Sequence, residues 1–165
     1  ETRRTPWHQD TPYLPVRGTD LAVLWISFGS LDLAGTLEFV ERSHRDTLYD
    51  GSAFDLDDDT LGLYNDPAYP RLPDIEANRD DFNIVAFPVE PGDVVIFHPS
   101  VLHGGGPTGE HDVRQTLSLR FFGDDAVVAA RPGADIPNKS THPLSQVGRR
   151  SDGSPFRHEG FPKIY

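Results

Sequence analysis

A histidine and an aspartate stand two residues apart near the start of the 165-residue sequence, in the segment PWHQD at positions 6–10. This segment is predicted to belong to a strand over about 5–10. Alternate residues of a strand point to the same face, so we expect His8 and Asp10 to project together and Trp7 and Gln9 to face the other way. An imidazole and a carboxylate on one face can bind a single divalent metal ion, although a His-x-Asp pair alone is weak evidence for a site.

A third ligand from another strand would complete a facial triad of two histidines and one carboxylate, which is the arrangement of non-haem Fe(II) oxygenases. His103 is the best candidate, because it ends a strand-like segment and is followed by GGGP, where the chain can turn tightly beside a ligand. His98 is the rival, but a histidine at the end of a strand is more often a structural residue. His44 is expected in a turn. The remaining histidines, which we expect to face solvent, are His111, His142 and His158.

The segment RQTLSLR at 114–120 alternates between two kinds of side chain. Arg114, Thr116, Ser118 and Arg120 share one face, and the other face is apolar. The polar face could lie in solvent, as on an ordinary half-exposed strand. It could instead point into a barrel, where an arginine binds a carboxylate through two hydrogen bonds and a hydroxyl group adds another. The periodicity fits both arrangements.

Short strands are the elements predicted to position these residues. Glycine and proline number 15 each, and no segment shows convincing helical periodicity. Further strands are predicted at 21–29, 35–41, 82–90, 94–98, 101–105 and 114–123. The nearly continuous apolar residues of 21–29 indicate burial on both faces. EPGD at 90–93 has proline and glycine at the central positions of a type II turn. This pattern indicates a β-sandwich or jelly roll in a single domain covering residues 1–165.

Two long segments have little strand character. The acidic stretch 54–81 is predicted to be either a solvated surface excursion or a lid over a pocket. Residues 131–165 are rich in proline, glycine and serine and are expected to form a loop-rich tail that wraps around the body or is partly mobile.

The overall composition argues against several kinds of partner. The net charge of −11 disfavours nucleic acids and anionic membranes. The absence of cysteine excludes disulfides, thiolate metal sites and cysteine nucleophiles. No apolar segment reaches membrane-spanning length and no signal peptide is visible, so we expect a cytoplasmic protein without a membrane partner. The sequence begins with Glu1 and not with methionine, which indicates processing or an N-terminal part outside this sequence.

Four blocks of the sequence resemble the phytanoyl-CoA dioxygenase family in their order along the chain. They are TPWHQDTPYLPV, LAVLWISFGSLDLAGTLEFVERSHR, VEPGDVVIFHPSVLHGGGP and RQTLSLRFFGDD, and they cover about 5–125. The closing GSPFRHEGFPKIY also resembles C-termini of the family. The family comprises Fe(II)- and 2-oxoglutarate-dependent oxygenases. The resemblance implies a mainly β fold with a double-stranded β-helix (jelly-roll, cupin-like) core and long loops.

The resemblance implies, residue by residue, that His8, Asp10 and His103 bind Fe(II). Members usually carry an N-terminal region before the His-x-Asp strand, and this region is missing from the sequence. We therefore expect part of the sheet and one wall of the pocket to lie outside these residues. The family's usual PGSH reads ERSH at 41–44, which we expect to alter a turn and not the metal site.

The resemblance also implies a cosubstrate site. Arg114, eleven residues after the distal histidine, would bind the far carboxylate of 2-oxoglutarate, with Arg120 as the alternative. Trp25 falls near a family position that lines the cosubstrate pocket, and Thr116 and Ser118 are further candidate contacts.

The implied activity is a dioxygenase reaction. Oxidative decarboxylation of 2-oxoglutarate to succinate by O2 would be coupled to hydroxylation of a small-molecule substrate. Halogenating relatives carry a small residue in place of the carboxylate ligand, so Asp10 favours hydroxylation. The acidic stretch 54–81 would suit a cationic or neutral polar substrate better than a polyanion such as an acyl-CoA.

Two alternatives from other functional classes remain open at this point. One is a cupin-like, non-oxidative enzyme or binding protein that uses the same three residues to bind Zn, Mn or Ni. The other is a non-catalytic relative that binds a ligand or another protein. The sequence indicates neither the identity of the substrate nor the oligomeric state.

Overall fold

Short strands dominate the structure, a computed structural model that describes residues 3–45, 47–109, 113–132 and 143–164. His111 and His142 therefore lie outside the described residues, as do their predicted solvent-facing positions. The strands are β1 (Thr5–His8), β2 (Val16–Arg17), β3 (Leu21–Ser27), β4 (Leu37–Val40), β5 (Ile84–Ala86), β6 (Val94–Phe97), β7 (His103–Gly105), β8 (Thr116–Phe122) and β9 (Val127–Val128). Short 3₁₀ turns cover Thr11–Tyr13, Ser43–Arg45 and Arg79–Asp81, and a helix, α1, covers Pro143–Gly148. The predicted mainly β class is confirmed.

Two antiparallel sheets form the body of the protein. The four-stranded sheet has the order β1-β7-β4-β5, and the three-stranded sheet has the order β6-β3-β8. Side chains from the two sheets meet between them, where the rings of Phe39 on β4 and Phe97 on β6 lie 5.0 Å apart. This arrangement agrees with the predicted jelly roll. The β2–β9 pair forms a separate ribbon, whose buried cluster consists of Leu14, Val16, Leu21, Ala126, Val128, Val147 and Phe156.

The outer face of the four-stranded sheet is covered by part of the acidic stretch 54–81. Leu72 and Ile75 are 4% and 1% exposed and pack with Trp7, Val40 and Leu102. Apolar side chains within an otherwise acidic segment are the reason that it adheres to the sheet. This portion of the stretch is therefore neither a solvated excursion nor a lid.

The outer face of the three-stranded sheet is exposed in the described residues. Ile96 is 65% exposed and Leu119 is 39% exposed. Buried and half-buried residues alternate along β3 for the same reason: Val23 and Trp25 are buried, whereas Leu24 is half-buried. The prediction that both faces of 21–29 are buried was therefore wrong.

The ends of several strands differ from the predictions. β1 ends at His8, and Asp10 has the backbone angles φ −74° and ψ −31°, so the prediction that the strand reaches residue 10 was wrong. Pro12 lies in the 3₁₀ turn that follows, and it lacks the N–H group that continued strand pairing requires. The EPGD turn is confirmed: the Asp93 N–H donates to the Glu90 carbonyl at 2.9 Å, and Gly92 has φ +108°.

No helix among the described residues has the length and apolar character needed to cross a membrane. α1 has six residues and lies in the C-terminal segment, where the sequence did not predict a helix. A helix of this length gives too few turns for a periodic pattern to be visible. The same holds for β2 and β9, which have two residues each.

Candidate metal centre

His8, Asp10 and His103 meet in the interior of the fold. His8 ends β1 and pairs directly with His103, the first residue of β7. The possible ligand atoms of the three residues all lie within 4.8 Å of one another. Their exposed fractions are 8%, 9% and 5%, respectively. No comparable group of three His, Asp or Glu side chains occurs elsewhere in the described ranges.

Both histidines are held by backbone carbonyl groups. Nδ1 of His8 lies 2.9 Å from the Pro6 carbonyl, and Nδ1 of His103 lies 2.9 Å from the Val101 carbonyl. A neutral imidazole that donates from Nδ1 keeps the lone pair of Nε2 for a metal ion. The Nε2 atoms of His8 and His103 lie 3.5 Å and 4.0 Å from Oδ1 of Asp10.

The electrostatic surroundings favour the protonation states that metal binding requires. Burial and the neighbouring His8 lower the pKa of His103 to about 4, so that this imidazole is neutral at pH 7. Burial raises the pKa of Asp10, but the interaction with His8 and the charges of His103 and Arg120 outweigh it and lower the pKa to about 2. A neutral imidazole and an ionised carboxylate can bind a divalent ion without first losing a proton.

The polar face of β8 points into the space between the sheets. Nη2 of Arg120 donates to Oδ2 of Asp10 at 2.9 Å, which fixes the direction of this face. Across the β3–β8 pairing, Ser118 lies opposite the buried Trp25, and Thr116 lies opposite Ser27. The structure thus decides between the two arrangements that the periodicity allowed. Thr116 and Ser118 remain exposed, because the described residues leave this side of the interior open.

Arg114 precedes β8 and is fixed by backbone carbonyl groups. Its guanidinium donates to Gly35 at 2.6 Å, to Gly106 at 3.1 Å and to Pro107 at 3.2 Å. The Gly106 position tolerates no side chain, since a Cβ there would collide with the Ala34 carbonyl. Nε of Arg114 is buried and has no hydrogen-bond partner among the described residues. The arginine therefore has a fixed position and an unused donor.

Two aromatic residues beside His8 were not predicted as part of the site. The rings of Phe54 and Tyr13 lie 5.3 Å and 6.2 Å from the His8 ring. The Tyr13 hydroxyl donates to the Ser52 carbonyl at 2.7 Å, which ties the start of the acidic stretch to this turn. The position of Tyr13, three residues after Asp10, could have indicated its proximity, whereas no sequence signal pointed to Phe54.

His98 lies apart from the three-residue cluster. Its Nδ1 accepts a hydrogen bond from the Ser100 N–H at 3.1 Å, and its ring lies 5.7 Å from that of His44. His44 occupies a 3₁₀ turn, in agreement with the predicted turn. His158 lies in the C-terminal segment, 3.1 Å from the Gln146 side chain.

Comparisons with known proteins identify relatives of this chain. The family model described as phytanoyl-CoA dioxygenase (PhyH) matches residues 1–116. "Phytanoyl-CoA dioxygenase, peroxisomal" of Mus musculus is 30% identical over 127 residues, which cover 76% of this chain and 35% of the mouse protein. "Probable phytanoyl-CoA dioxygenase" of Caenorhabditis elegans is 29% identical over 126 residues, which cover 75% of this chain and 38% of that protein. The chain thus spans less than two fifths of the length of these relatives.

Solved structures show the same fold over nearly the whole chain. The non-heme alpha ketoglutarate dependent carbocyclase SnoK from nogalamycin biosynthesis has a TM-score of 0.61 and 24% identity, covering 96% of this chain and 55% of its own. The epimerase SnoN from the same biosynthesis has a TM-score of 0.60 and 20% identity, covering 98% of this chain and 54% of its own. At this identity the likeness concerns the fold alone, whereas the family match covers most of the chain: this protein belongs to the phytanoyl-CoA dioxygenase family.

Proposed function

We propose that this protein is a non-haem iron dioxygenase that uses Fe(II), 2-oxoglutarate and O2 to hydroxylate a small-molecule substrate. The buried cluster of His8, Asp10 and His103 carries the proposal, because two histidines and one carboxylate face a common point. Three protein donors leave half of an octahedral coordination sphere for other ligands. When bound, the iron supplies the redox chemistry that couples decarboxylation of 2-oxoglutarate to succinate with oxygenation of the substrate.

The chain's own residues orient the ligands and exclude water from them. The carbonyl groups of Pro6 and Val101 fix the ring orientations of the two histidines. On the inner side, Phe97 packs 4.8 Å from the ring of His103, and Phe39 lies 6.0 Å from it. These aromatic rings keep one side of the site apolar, which strengthens the electrostatic interactions of the cluster.

We assign the far carboxylate of 2-oxoglutarate to Arg114. Three carbonyl groups hold its guanidinium in place, so little side-chain entropy remains to be lost on binding. The buried Nε–H has no partner among the described residues, and a bound carboxylate would satisfy this donor. Trp25, Thr116 and Ser118 lie on the inner faces of β3 and β8 and are proposed as further contacts with the cosubstrate.

The substrate is proposed to be a neutral polar or cationic small molecule. The acidic stretch 54–81 begins beside the metal centre, where Phe54 contacts His8, so its first part is positioned to cover a bound substrate. Measuring how much succinate is formed from 2-oxoglutarate in the presence of each candidate substrate would identify the compound.

The cytoplasmic location of the protein stays a prediction.

The direct test of the proposal is anaerobic addition of Fe(II) and 2-oxoglutarate to the folded protein. We expect the weak visible charge-transfer absorption of the iron–2-oxoglutarate chelate, at one equivalent of each. Loss of this absorption in Asp10→Ala would tie it to the cluster. A folded protein that binds Zn(II), Mn(II) or Ni(II) but gives no such band would contradict the dioxygenase and support the non-oxidative alternative.

Arg114→Ala should separate cosubstrate binding from metal binding. We expect the dissociation constant of 2-oxoglutarate to rise at least about 10-fold, because a charge-assisted pair is lost, while Fe(II) affinity changes little. Arg114→Lys retains the charge without the planar set of donors, so its dissociation constant for 2-oxoglutarate should lie between those of the wild type and Arg114→Ala. Unchanged 2-oxoglutarate affinity in Arg114→Ala would contradict the assignment and direct attention to Arg120.

A further inference from the structure

The two oxygen atoms of Asp10 have different surroundings. Oδ1 faces the Nε2 atoms of His8 and His103, at 3.5 Å and 4.0 Å. Oδ2 accepts a hydrogen bond from Nη2 of Arg120 at 2.9 Å. The carboxylate is therefore divided between one oxygen that faces the imidazoles and one that is already bound to a cation.

Arg120 reaches Asp10 from the opposite sheet. Its backbone lies on β8 opposite Val23 of β3, whereas Asp10 follows β1 of the four-stranded sheet. The contact connects positions 110 residues apart in the sequence. The exposed fractions of the two side chains are 36% for Arg120 and 12% for Asp10. This ion pair is therefore more shielded than the surface pair of Arg17 and Asp152, whose side chains are 52% and 53% exposed.

We propose that Arg120 is a positioning residue that makes Asp10 a one-oxygen ligand. This inference rests on the proposed function, since it concerns the metal that the cluster would bind. By binding Oδ2, Arg120 leaves only Oδ1 directed toward the histidines. A carboxylate that used both oxygens would occupy a fourth coordination position and leave one fewer for the cosubstrate and O2.

Under this proposal, Arg114 and Arg120 have separate roles, although both lie on the polar face of the segment 114–120. Arg114 is bound to three backbone carbonyl groups and keeps a free Nε–H, which suits it to an incoming carboxylate. Arg120 already binds the carboxylate of Asp10. A partner that hydrogen-bonds to a metal ligand fixes the ligand's orientation, and its loss typically lowers metal affinity about 10- to 100-fold.

Co(II) is the probe for the test, because its visible absorption reports coordination number and geometry. The variants are Arg120→Ala, Arg120→Gln, which keeps a donor without the charge, and Arg120→Lys, which keeps the charge. Arg17→Ala, which removes a surface Arg–Asp pair, is the matched control. Each protein is titrated anaerobically with Co(II) and then, at saturating Co(II), with 2-oxoglutarate, and its thermal unfolding is recorded without metal.

We expect Arg120→Ala to weaken Co(II) binding by about 10-fold or more and to change the visible spectrum of the bound ion. Arg120→Lys should restore part of the affinity and the wild-type spectrum, and Arg17→Ala should match the wild type in both. The dissociation constant of 2-oxoglutarate at saturating Co(II) should stay within about 3-fold of the wild-type value in Arg120→Ala, because Arg114 is intact (a far larger loss is expected in Arg114→Ala).

Three results would overturn the inference. Unchanged Co(II) affinity and spectrum with a large loss of 2-oxoglutarate affinity would make Arg120 the cosubstrate clamp. A lower unfolding temperature with unchanged Co(II) binding would make the ion pair merely structural. Tighter Co(II) binding in Arg120→Ala would show that the cation repels the metal more than it orients Asp10. If Arg120→Ala does not fold, the spectra of Arg120→Gln and Arg120→Lys decide in the same way.

The proposed function can fail separately. A wild-type protein that binds Co(II) but neither binds 2-oxoglutarate nor gives the Fe(II) charge-transfer absorption would refute the dioxygenase. The Co(II) spectra of the Arg120 variants would still decide whether this residue orients Asp10.

Discussion

The four-stranded and three-stranded sheets face the same interior, but their outer faces differ in how far they are covered by other residues. Behind the four-stranded sheet, Leu72 and Ile75 from the acidic stretch bury the outer side chains of Trp7 and Val40. Behind the three-stranded sheet, Ile96 and Leu119 remain exposed in the described residues. The candidate metal centre is attached to the four-stranded sheet, since His8 and His103 are paired residues of β1 and β7.

This difference in covering means that the histidines of the site are held more firmly than the site residues on β8. The two candidate histidine ligands lie on strands packed on both sides, and backbone carbonyl groups fix their rings. Thr116, Ser118 and Arg120, which face the same interior from β8, are exposed. A preorganised metal site needs its ligands held by packing on both sides. We therefore expect substitutions on the four-stranded sheet to affect metal binding and folding most, and substitutions of Thr116 or Ser118 on β8 to affect mainly the cosubstrate or substrate. Arg120 is the exception on β8, because it binds the carboxylate of Asp10.

The largest effect is expected for Asp10→Ala. The variant leaves two imidazoles and no carboxylate, so its affinity for Co(II) should fall by more than about 100-fold, beyond the usual effect of losing a residue that hydrogen-bonds to a metal ligand. Turnover should be abolished. Equilibrium titration with Co(II) measures the loss, with Ser118→Ala on the β8 side as the comparison. Equal losses in the two variants would contradict the distinction between the sheets.

A matched pair of isoleucines tests the two outer faces. Ile75→Ala removes a side chain that is 1% exposed, and we expect it to lower the free energy of unfolding by about 2–5 kcal/mol. Ile96→Ala removes one that is 65% exposed and should cost less than about 1 kcal/mol. Urea unfolding of both variants measures the difference. A similar loss in both would mean that the outer face of the three-stranded sheet is covered in solution.

The pH dependence of the free energy of unfolding, measured without metal, tests whether His103 is buried as a neutral imidazole in the four-stranded sheet. The pKa of His103 is about 4 in the folded protein and 6.5 as its ordinary value, so unfolded chains bind a proton between these values that folded chains do not. The free energy of unfolding should therefore decrease as the pH falls from 6.5, by about 2 kcal/mol at pH 5. His103→Gln should lack this contribution. Identical pH dependences in the two proteins would show that His103 is not buried as a neutral imidazole.

The smallest effect is expected for Thr116→Ala on the open side. Its hydroxyl lies on the exposed inner face of β8, so the change in the free energy of unfolding should stay within about 0.5 kcal/mol. The dissociation constant of 2-oxoglutarate should rise no more than about 5-fold, since at most one uncharged hydrogen bond is lost. Isothermal titration measures this value. A rise as large as that in Arg114→Ala would show that the first residue of β8 contributes as much to the cosubstrate site as Arg114 does.

Local spacing predicted much of the candidate site. The side chains of His8 and Asp10 converge as expected, with Nε2 of His8 3.5 Å from Oδ1 of Asp10, although Asp10 lies beyond the end of the strand. The choice of His103 over His98 depended on the glycines that follow His103. These glycines allow neighbouring segments of the same polypeptide to approach closely. The type II turn at 90–93 needed only the local rule for proline and glycine.

Other features depend on contacts between distant segments, which periodicity does not encode. The direction of the polar face of β8 is set by its pairing with β3, since the same alternation fits either orientation. The contact of Phe54 with His8 depends on the path of a long loop. The exposed outer face of β3 was missed because an apolar segment indicates burial without indicating what covers it.

The most direct test of the central claim is the ligand environment of the iron. The protein is loaded anaerobically with one equivalent of Fe(II), and X-ray absorption at the iron edge determines how many imidazole groups bind the ion. We predict two imidazoles in the wild-type protein and one in either His8→Ala or His103→Ala. Iron bound without imidazole, or an imidazole count that both substitutions leave unchanged, would contradict the assignment of the cluster.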